Sequence, residues 1–162
     1  SSPGTLTQSP TPILSGSDTG LLGFSLSGNI GVHFSDSNSW NNSKLDRLID
    51  GDTTTNTNTS LCLLNGINPY QLNCDFGTGK EKIIYRYDIY FSTLSYFKDF
   101  TFEASNDNFA TEIVVLDTVT NNTTSTLTKT FSNENSYRYF RFNVTNSTTQ
   151  WTQYLGISEI EF

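Results

Sequence analysis

The sequence is short of the residues that several common functions require. Among its 162 residues there are one histidine, two cysteines and four prolines, and only 15% of the chain is charged. The 9 Lys and Arg residues are outnumbered by 16 Asp and Glu, which gives a net charge of −7. Nucleic acids and anionic lipid surfaces both attract clustered basic side chains, so both are disfavoured as partners. No apolar run approaches the ~20 residues that span a bilayer.

The single histidine, His33, also limits the catalytic chemistry. A serine hydrolase would need it as the base, and no nucleophile motif accompanies it. A pair of acidic residues could serve a glycosidase, but no spacing in the chain supports such a pair. We therefore expect a protein that is not an enzyme.

Aromatic residues and alternating patterns are plentiful. Aromatics make up 14% of the chain, and each buries a large area, so a domain of this length can build a core. Apolar and polar residues alternate over 83–91, 100–105 and 139–144, as in strands with one buried face. Clusters of Asn, Ser, Asp and Gly separate these segments. The pattern predicts an all-β fold, an antiparallel β-sandwich or jelly roll.

The first 28 residues differ from the rest. Residues 1–20 are rich in Ser, Thr, Gly and Pro, a composition typical of a linker, and an apolar stretch at 21–26 could dock on the domain or on a neighbour. We therefore expect a flexible arm at 1–28 and one binding domain at 29–162. A short helical turn is expected at 43–48.

Cys62 and Cys74 are the only cysteines, and they flank the turn-rich stretch NGINP at 65–69. The short loop favours a disulfide between them, which would contribute up to about 3 kcal/mol. Two unpaired, half-buried thiols are the alternative, because separation along the chain does not establish disulfide geometry.

Carboxylates stand in two motifs that could meet in the fold. The first is LIDGD at 48–52, in which Gly51 allows a sharp turn between Asp50 and Asp52. The second is ISEIEF at 157–162, where Glu159 lies inside a strand-like run. Oxygen atoms from both motifs could enclose a hard cation such as calcium. The alternative is a turn capped by Asp and a solvated Glu.

Five motifs follow one another along the chain: LIDGD at 48–52, DFG at 75–77, FEASND at 102–107, YRYFRF at 137–142 and ISEIE at 157–161. Their order and spacing resemble the discoidin domain, also called the coagulation-factor C-type domain, which includes galactose-binding-like carbohydrate modules. The resemblance covers residues 29–162. It implies an eight-stranded β-sandwich jelly roll that binds glycans, phospholipid or proteins through loops at one end. Many such domains hold a structural calcium ion near those loops.

The resemblance also implies the ligands of that calcium ion. They would be the carbonyls of Arg47, Asp52 and Ser158, the side chains of Asp50 and Glu159, and an oxygen of Thr59. The chain departs from the family pattern after Thr59, where a Trp is common and Leu61 and Cys62 stand instead. Asp52 likewise replaces the usual Asn. Such an ion would be structural, because its ligands leave no open position for catalysis.

Candidate ligand-binding residues are the aromatics expected between strands, together with the histidine. A sugar ring packs its apolar face on a flat aromatic ring, and its hydroxyls need polar partners. In discoidin-type sugar modules a His often bonds a galactose hydroxyl. The candidates are His33, Trp40, Tyr96, Trp151 and Tyr154. The alternative for each aromatic is packing at an end of the sandwich.

The sequence thus predicts a non-catalytic, calcium-stabilised module that binds glycans, for example galactose-like ones. It would act outside the cell, at a cell surface or on a virion or phage, and weak sites would gain from multivalency in a homo-oligomer or larger assembly. The main alternative is a structural or protein-binding domain of a viral fibre, capsid or extracellular assembly. Lipid binding ranks third, because Lys44 and Arg47 are the only bases near the candidate apolar residues at 61–64.

Overall fold

The computed structural model describes residues 22–32, 44–54, 61–149 and 154–162, and these residues are all-β. They form a 3₁₀ helix at Leu45–Ile49, which matches the expected helical turn, and eight strands: β1 (Gly23–Val32), β2 (Cys62–Asp75), β3 (Arg86–Phe91), β4 (Tyr96–Ser105), β5 (Val114–Val119), β6 (Thr126–Thr130), β7 (Tyr139–Thr148) and β8 (Tyr154–Glu161). The predicted fold class is confirmed. None of the described helical residues forms a segment that could cross a membrane.

Every pair of these strands is antiparallel, and β2 belongs to both layers of the sandwich. Its second half, from Tyr70 to Asp75, pairs with β7, and its first half, from Cys62 to Asn65, pairs with β8. One layer continues from β7 to β4 and β5, and the other from β8 to β3 and β6. β1 follows β2 over both halves. Since β2 bends at residues 66–69, the sheet curls into two layers that face each other.

Aromatic rings fill the space between the layers. The ring centroid of Phe102 lies 4.8 Å from that of Phe142 and 4.9 Å from that of Tyr87, and all three residues are fully buried. Such tilted ring pairs are stabilising beyond the area that they bury. Because β3, β4 and β7 supply these rings, the core fixes the strands and leaves their ends available for binding.

The domain begins earlier in the chain than predicted, because β1 is part of its sheet. The composition of residues 1–28 suggests an arm, but β1 already pairs with β2 from Gly23, opposite Asp75, onward. Phe24 and Leu26 pack against the core. The predicted boundary between residues 28 and 29 is therefore too late, because the apolar stretch docks as a strand. Residues 1–21 lie outside the described part of the chain.

The predicted disulfide is wrong. Cys62 and Cys74 are both free and buried, near opposite ends of β2. Cys62 lies opposite Ile157 of β8 and Cys74 opposite Phe140 of β7, so they stand in different layers on either side of the bend. A disulfide needs Cα atoms within about 7 Å of each other. The stretch NGINP is the bend of β2 rather than a loop that folds back. Gly66 is required there by close packing, since a Cβ would lie 2.9 Å from Cγ1 of Ile30.

Candidate functional site

An open concavity of about 660 Å³ lies at the end of the sandwich where β7 and β8 diverge. Three strands line it. β1 contributes Asn29 and Ile30, the bend of β2 contributes residues 65–68, β7 contributes Ser147, and Thr149 follows directly after β7. We call it the open-end concavity. It exists because β2 passes from one layer to the other at this point, and its two neighbours β7 and β8 separate.

The lining of the open-end concavity is polar and uncharged. Among the described residues, no Lys, Arg, Asp or Glu contributes to it. It combines amides, hydroxyls and two aliphatic side chains, which come from Asn29, Asn65, Asn68, Ser147, Thr149, Ile30 and Ile67. Ile67 is 74% exposed, an unusual position for a large aliphatic side chain. The arrangement suits a neutral ligand that has hydroxyl groups and apolar faces.

Two of the predicted ligand-binding residues are described, and both lie at this end. Tyr154 begins β8 opposite Asn65, which lines the concavity. Tyr96 begins β4 opposite Thr148, and its half-buried ring packs against the core. Tyr154 thus pairs with a lining residue, but neither Tyr154 nor Tyr96 is itself among the residues that line the concavity. His33, Trp40 and Trp151 lie outside the described residues and remain predictions.

The residues that line the concavity were not predicted from the sequence. The stretch at 65–69 contains Gly66 and Pro69, which ordinarily indicate a turn. In the fold it forms the wall of the concavity instead. The one feature of the sequence that could have indicated a binding surface is Ile67. It is the only aliphatic residue in the polar stretch NGINP, and an exposed turn would not bury it.

The second candidate site is the carboxylate pair Asp50 and Glu159, which we call the acidic pocket. The 3₁₀ helix buries Leu48 and ends at Ile49, so the chain leads directly into Asp50. Gly51 adopts a φ of 83°, which favours glycine, and its N–H donates to Oε2 of Glu159 at 3.1 Å. The sharp turn expected at Gly51 is present, and it brings the two acidic motifs together.

The described residues around Glu159 supply no positive charge to balance its carboxylate form. The residue is fully buried, and its Oε1 has no hydrogen-bond partner in the described part of the chain. Burial first, and then the negative charges of Asp50 and Glu161, raise the pKa of Glu159 to about 8. A buried carboxylate without a counter-charge is costly, and a cation bound to the free oxygen would remove that cost.

The donor set of the acidic pocket fits a calcium ion that takes two carboxylates and backbone carbonyls. No group of three or more His, Cys, Asp or Glu side chains converges within the described residues, so side chains alone would not suffice. The hydroxyl of Ser158 donates to the carbonyl of Tyr90. The predicted calcium ligand is the carbonyl of Ser158, and this hydrogen bond does not involve that carbonyl. The carboxylate of Asp52 accepts from the N–H of Thr54, so its predicted contribution is also a carbonyl.

The remaining predicted calcium ligands are Arg47 and Thr59. Arg47 lies on the 3₁₀ helix, and its guanidinium donates to the carbonyl of Leu61 at 2.8 Å. That contact ties Leu61, directly before β2, to the helix that leads into the acidic pocket. Thr59 falls outside the described residues.

Comparison with protein-family models finds no match, and comparison with curated proteins finds none either. Solved structures do resemble the chain. A protein fragment from Bacteroides thetaiotaomicron superposes with a TM-score of 0.65 at 19% identity, covering 97% of this chain and 94% of the fragment. A CBM32 module from Clostridium perfringens, in complex with GalNAc-β-1,3-galactose, gives 0.60 at 9% identity, covering 85% and 93%.

A third structure is the chitosan-binding module 2 of a chitosanase/glucanase from Paenibacillus sp. IK-5, in complex with chitotriose. It gives a TM-score of 0.58 at 15% identity, covering 82% of this chain and 92% of the module. The chain has the discoidin-like, galactose-binding-like fold. This β-sandwich is the one that the five sequence motifs imply.

Proposed function

We propose that the chain is a non-catalytic carbohydrate-binding module whose ligand occupies the open-end concavity. The observation that carries the proposal is the uncharged lining of amides, hydroxyls and aliphatic side chains. A glycan presents hydroxyls and apolar C–H faces on one molecule, and this lining offers partners for both. A charged ligand would need ionic partners, which the described lining does not supply.

The fold supports the same function. Structures with this fold include modules in complex with GalNAc-β-1,3-galactose, with chitotriose and with 4,5-unsaturated mannuronic acid. In this chain the concavity lies at a loop end of the sandwich, where binding residues commonly sit on a rigid scaffold. Tyr154, which pairs with the lining residue Asn65, and the predicted residues His33, Trp40 and Trp151 are further candidates for contact with the sugar.

The acidic pocket is proposed to hold a structural calcium ion. Asp50 and Glu159 would supply carboxylates, and the other predicted ligands would supply carbonyl or hydroxyl oxygens. The ion would neutralise Glu159 and fix residues 50–54 against β8. Because Glu159 is five residues from Tyr154, about 16 Å along the strand, its effect would fall on stability rather than on direct contact with sugar.

The proposed setting is outside the cell, on a secreted or cell-surface protein or on a virion or phage. An open concavity binds a sugar weakly, so repeated copies in a homo-oligomer or larger assembly would raise the avidity. The competing function, a structural or protein-binding domain, has support of its own in β5. This strand ends its layer and exposes 53% of Val115, and such an edge can pair with another chain.

A glycan-array screen tests the proposed function. The full chain should be applied in calcium-containing buffer, with a heat-unfolded sample as control for adhesion to the surface. We expect retention on at least one class of neutral glycan by the folded protein only. If a folded sample binds no glycan, the carbohydrate-binding proposal is wrong and the structural or protein-binding function becomes the better account.

A further inference from the structure

A buried tyrosine stands behind the wall of the open-end concavity. Tyr70 is only 2% exposed, and its ring packs edge-on against Phe97 with centroids 6.3 Å apart. Its hydroxyl is buried and has no hydrogen-bond partner among the described residues. Ser147 lines the concavity, and its Oγ donates to Oδ1 of Asn68 at 3.0 Å.

In the hydrogen bond between Ser147 and Asn68, the hydroxyl donates and the amide oxygen accepts. Oδ1 of Asn68 is an acceptor only, so Ser147 uses its single proton there. Burial raises the pKa of Tyr70 to about 12, so the hydroxyl behind this pair stays protonated.

The result is that Asn68 offers donors to a ligand. Its Oδ1 is occupied by Ser147, while its Nδ2 makes no hydrogen bond to another described residue and Asn68 is exposed in the concavity. The complementary group on a ligand is therefore an acceptor oxygen. Two aliphatic side chains, Ile30 and Ile67, lie in the same lining, so a small apolar group beside that oxygen would also find a partner.

Three oxygen-bearing groups of sugars can be compared with this arrangement. A carboxylate is disfavoured because the described lining has no basic side chain and the chain has a net charge of −7. A hydroxyl can accept from Asn68, but it brings no apolar group for Ile67. An acetamido group has both features, a strong carbonyl acceptor and a methyl group next to it.

We propose that the open-end concavity selects N-acetylated sugars. Asn68 donates to the acetamido carbonyl and Ile67 packs on the methyl group. Ser147 fixes the orientation of the Asn68 amide through the hydrogen bond that its hydroxyl donates to Oδ1. The inference rests on the proposed glycan-binding function and names the chemical class that the site prefers.

The first test compares four probes on the full chain by NMR titration or calorimetry. The probes are the methyl glycosides of N-acetylglucosamine and N-acetylgalactosamine and those of glucose and galactose. We expect at least one N-acetylated sugar to bind about tenfold more tightly than its parent sugar. Equal or tighter binding of the parents overturns the inference and leaves the glycan-binding function intact. Binding of none of the four, by a protein that also fails on the array, overturns both.

The second test uses variants that alter one group each. Asn68→Asp replaces the donor NH₂ by an acceptor of the same shape, and it should abolish the preference for N-acetylated sugars. Asn108→Asp is the matched control, since Asn108 is exposed at the opposite end of the sandwich and the change adds the same charge. If both variants keep the preference of the wild type, Asn68 is not the donor and the proposal is overturned.

Discussion

The open-end concavity and the acidic pocket lie near opposite ends of β8, and they differ in how their polar groups are satisfied. In the concavity, exposed and uncharged groups can be hydrated when no ligand is present. In the acidic pocket, Glu159 is fully buried with an unpaired oxygen, so water does not replace a missing partner. The two ligands should therefore act differently on the fold. A sugar should change stability little, and calcium should change it greatly.

Removal of calcium should have the largest effect on the fold. A site occupied at about 100 times its dissociation constant adds roughly 2.7 kcal/mol to the free energy of unfolding. The melting temperature measured by calorimetry should therefore fall when a chelator is added to the wild type. Glu159→Gln should show almost no response to calcium. Identical melting curves of the wild type with calcium and with chelator would remove the distinction between the two regions.

The pH dependence of the calcium-free protein sharpens the comparison. The pKa of Glu159 is about 8 in the folded protein, against 4.5 for an ordinary Glu, so the folded state holds a proton that the unfolded chain releases. The free energy of unfolding should therefore decrease as the pH rises from about 4.5 to about 8, and the contribution is lost above the folded pKa. Calcium should suppress that decrease.

Denaturant titrations at several pH values measure this effect. Glu159→Gln should flatten the decrease, whereas Glu81→Gln, a change of an exposed residue outside the pocket, should keep it. A calcium-free wild type that becomes more stable over the same pH range would contradict the assignment of a protonated Glu159.

A charge placed in the open-end concavity should affect binding and spare stability. Ile67→Asp puts a carboxylate on an exposed position of the lining, and we expect sugar affinity to fall at least about tenfold. The free energy of unfolding should change by no more than about 0.5 kcal/mol, as for most exposed positions. Val115→Asp on β5 is the matched control, because Val115 is also a largely exposed aliphatic residue. Loss of binding in both variants would show that the added charge, and not its position in the concavity, weakens sugar binding.

The smallest expected effect is that of a reducing agent. Because Cys62 and Cys74 are free, neither region depends on a disulfide, and the melting temperature should be unchanged by reduction. Thiol titration of the denatured, unreduced protein should find two thiols for each chain. A titration that finds almost no free thiol would show that the disulfide forms and would contradict the positions of the two cysteines in β2.

Much of the fold follows from alternation in the sequence. The alternating pattern at 139–144 predicts β7. The structure confirms it, since the apolar residues Phe140, Phe142 and Val144 are fully buried in the core. The bend of β2 could not be predicted in the same way. Gly66 and Pro69 are ordinary turn signals, and the need for Gly66 becomes visible only when β1 packs against it.

The two sites differ in how far the sequence predicts them. Asp50 and Glu159 stand in motifs with a recognisable order, and the structure brings them to the same pocket. The open-end concavity depends on where β7 and β8 separate, which is a property of strand pairing between residues far apart in the chain. Ser147 and Asn68, for example, are joined by a hydrogen bond across 79 positions of sequence.

An NMR titration of isotope-labelled protein with a glycan that the array identifies tests the central claim most directly. We expect the largest shifts at the bend of β2, residues 65–68, and at Ser147 and Thr149, with Ile67→Asp abolishing them. The backbone signals of Asp50 and Glu159 should shift with calcium instead. Glycan-induced shifts confined to β5 or to the acidic pocket, with residues 65–68 unaffected, would contradict the account.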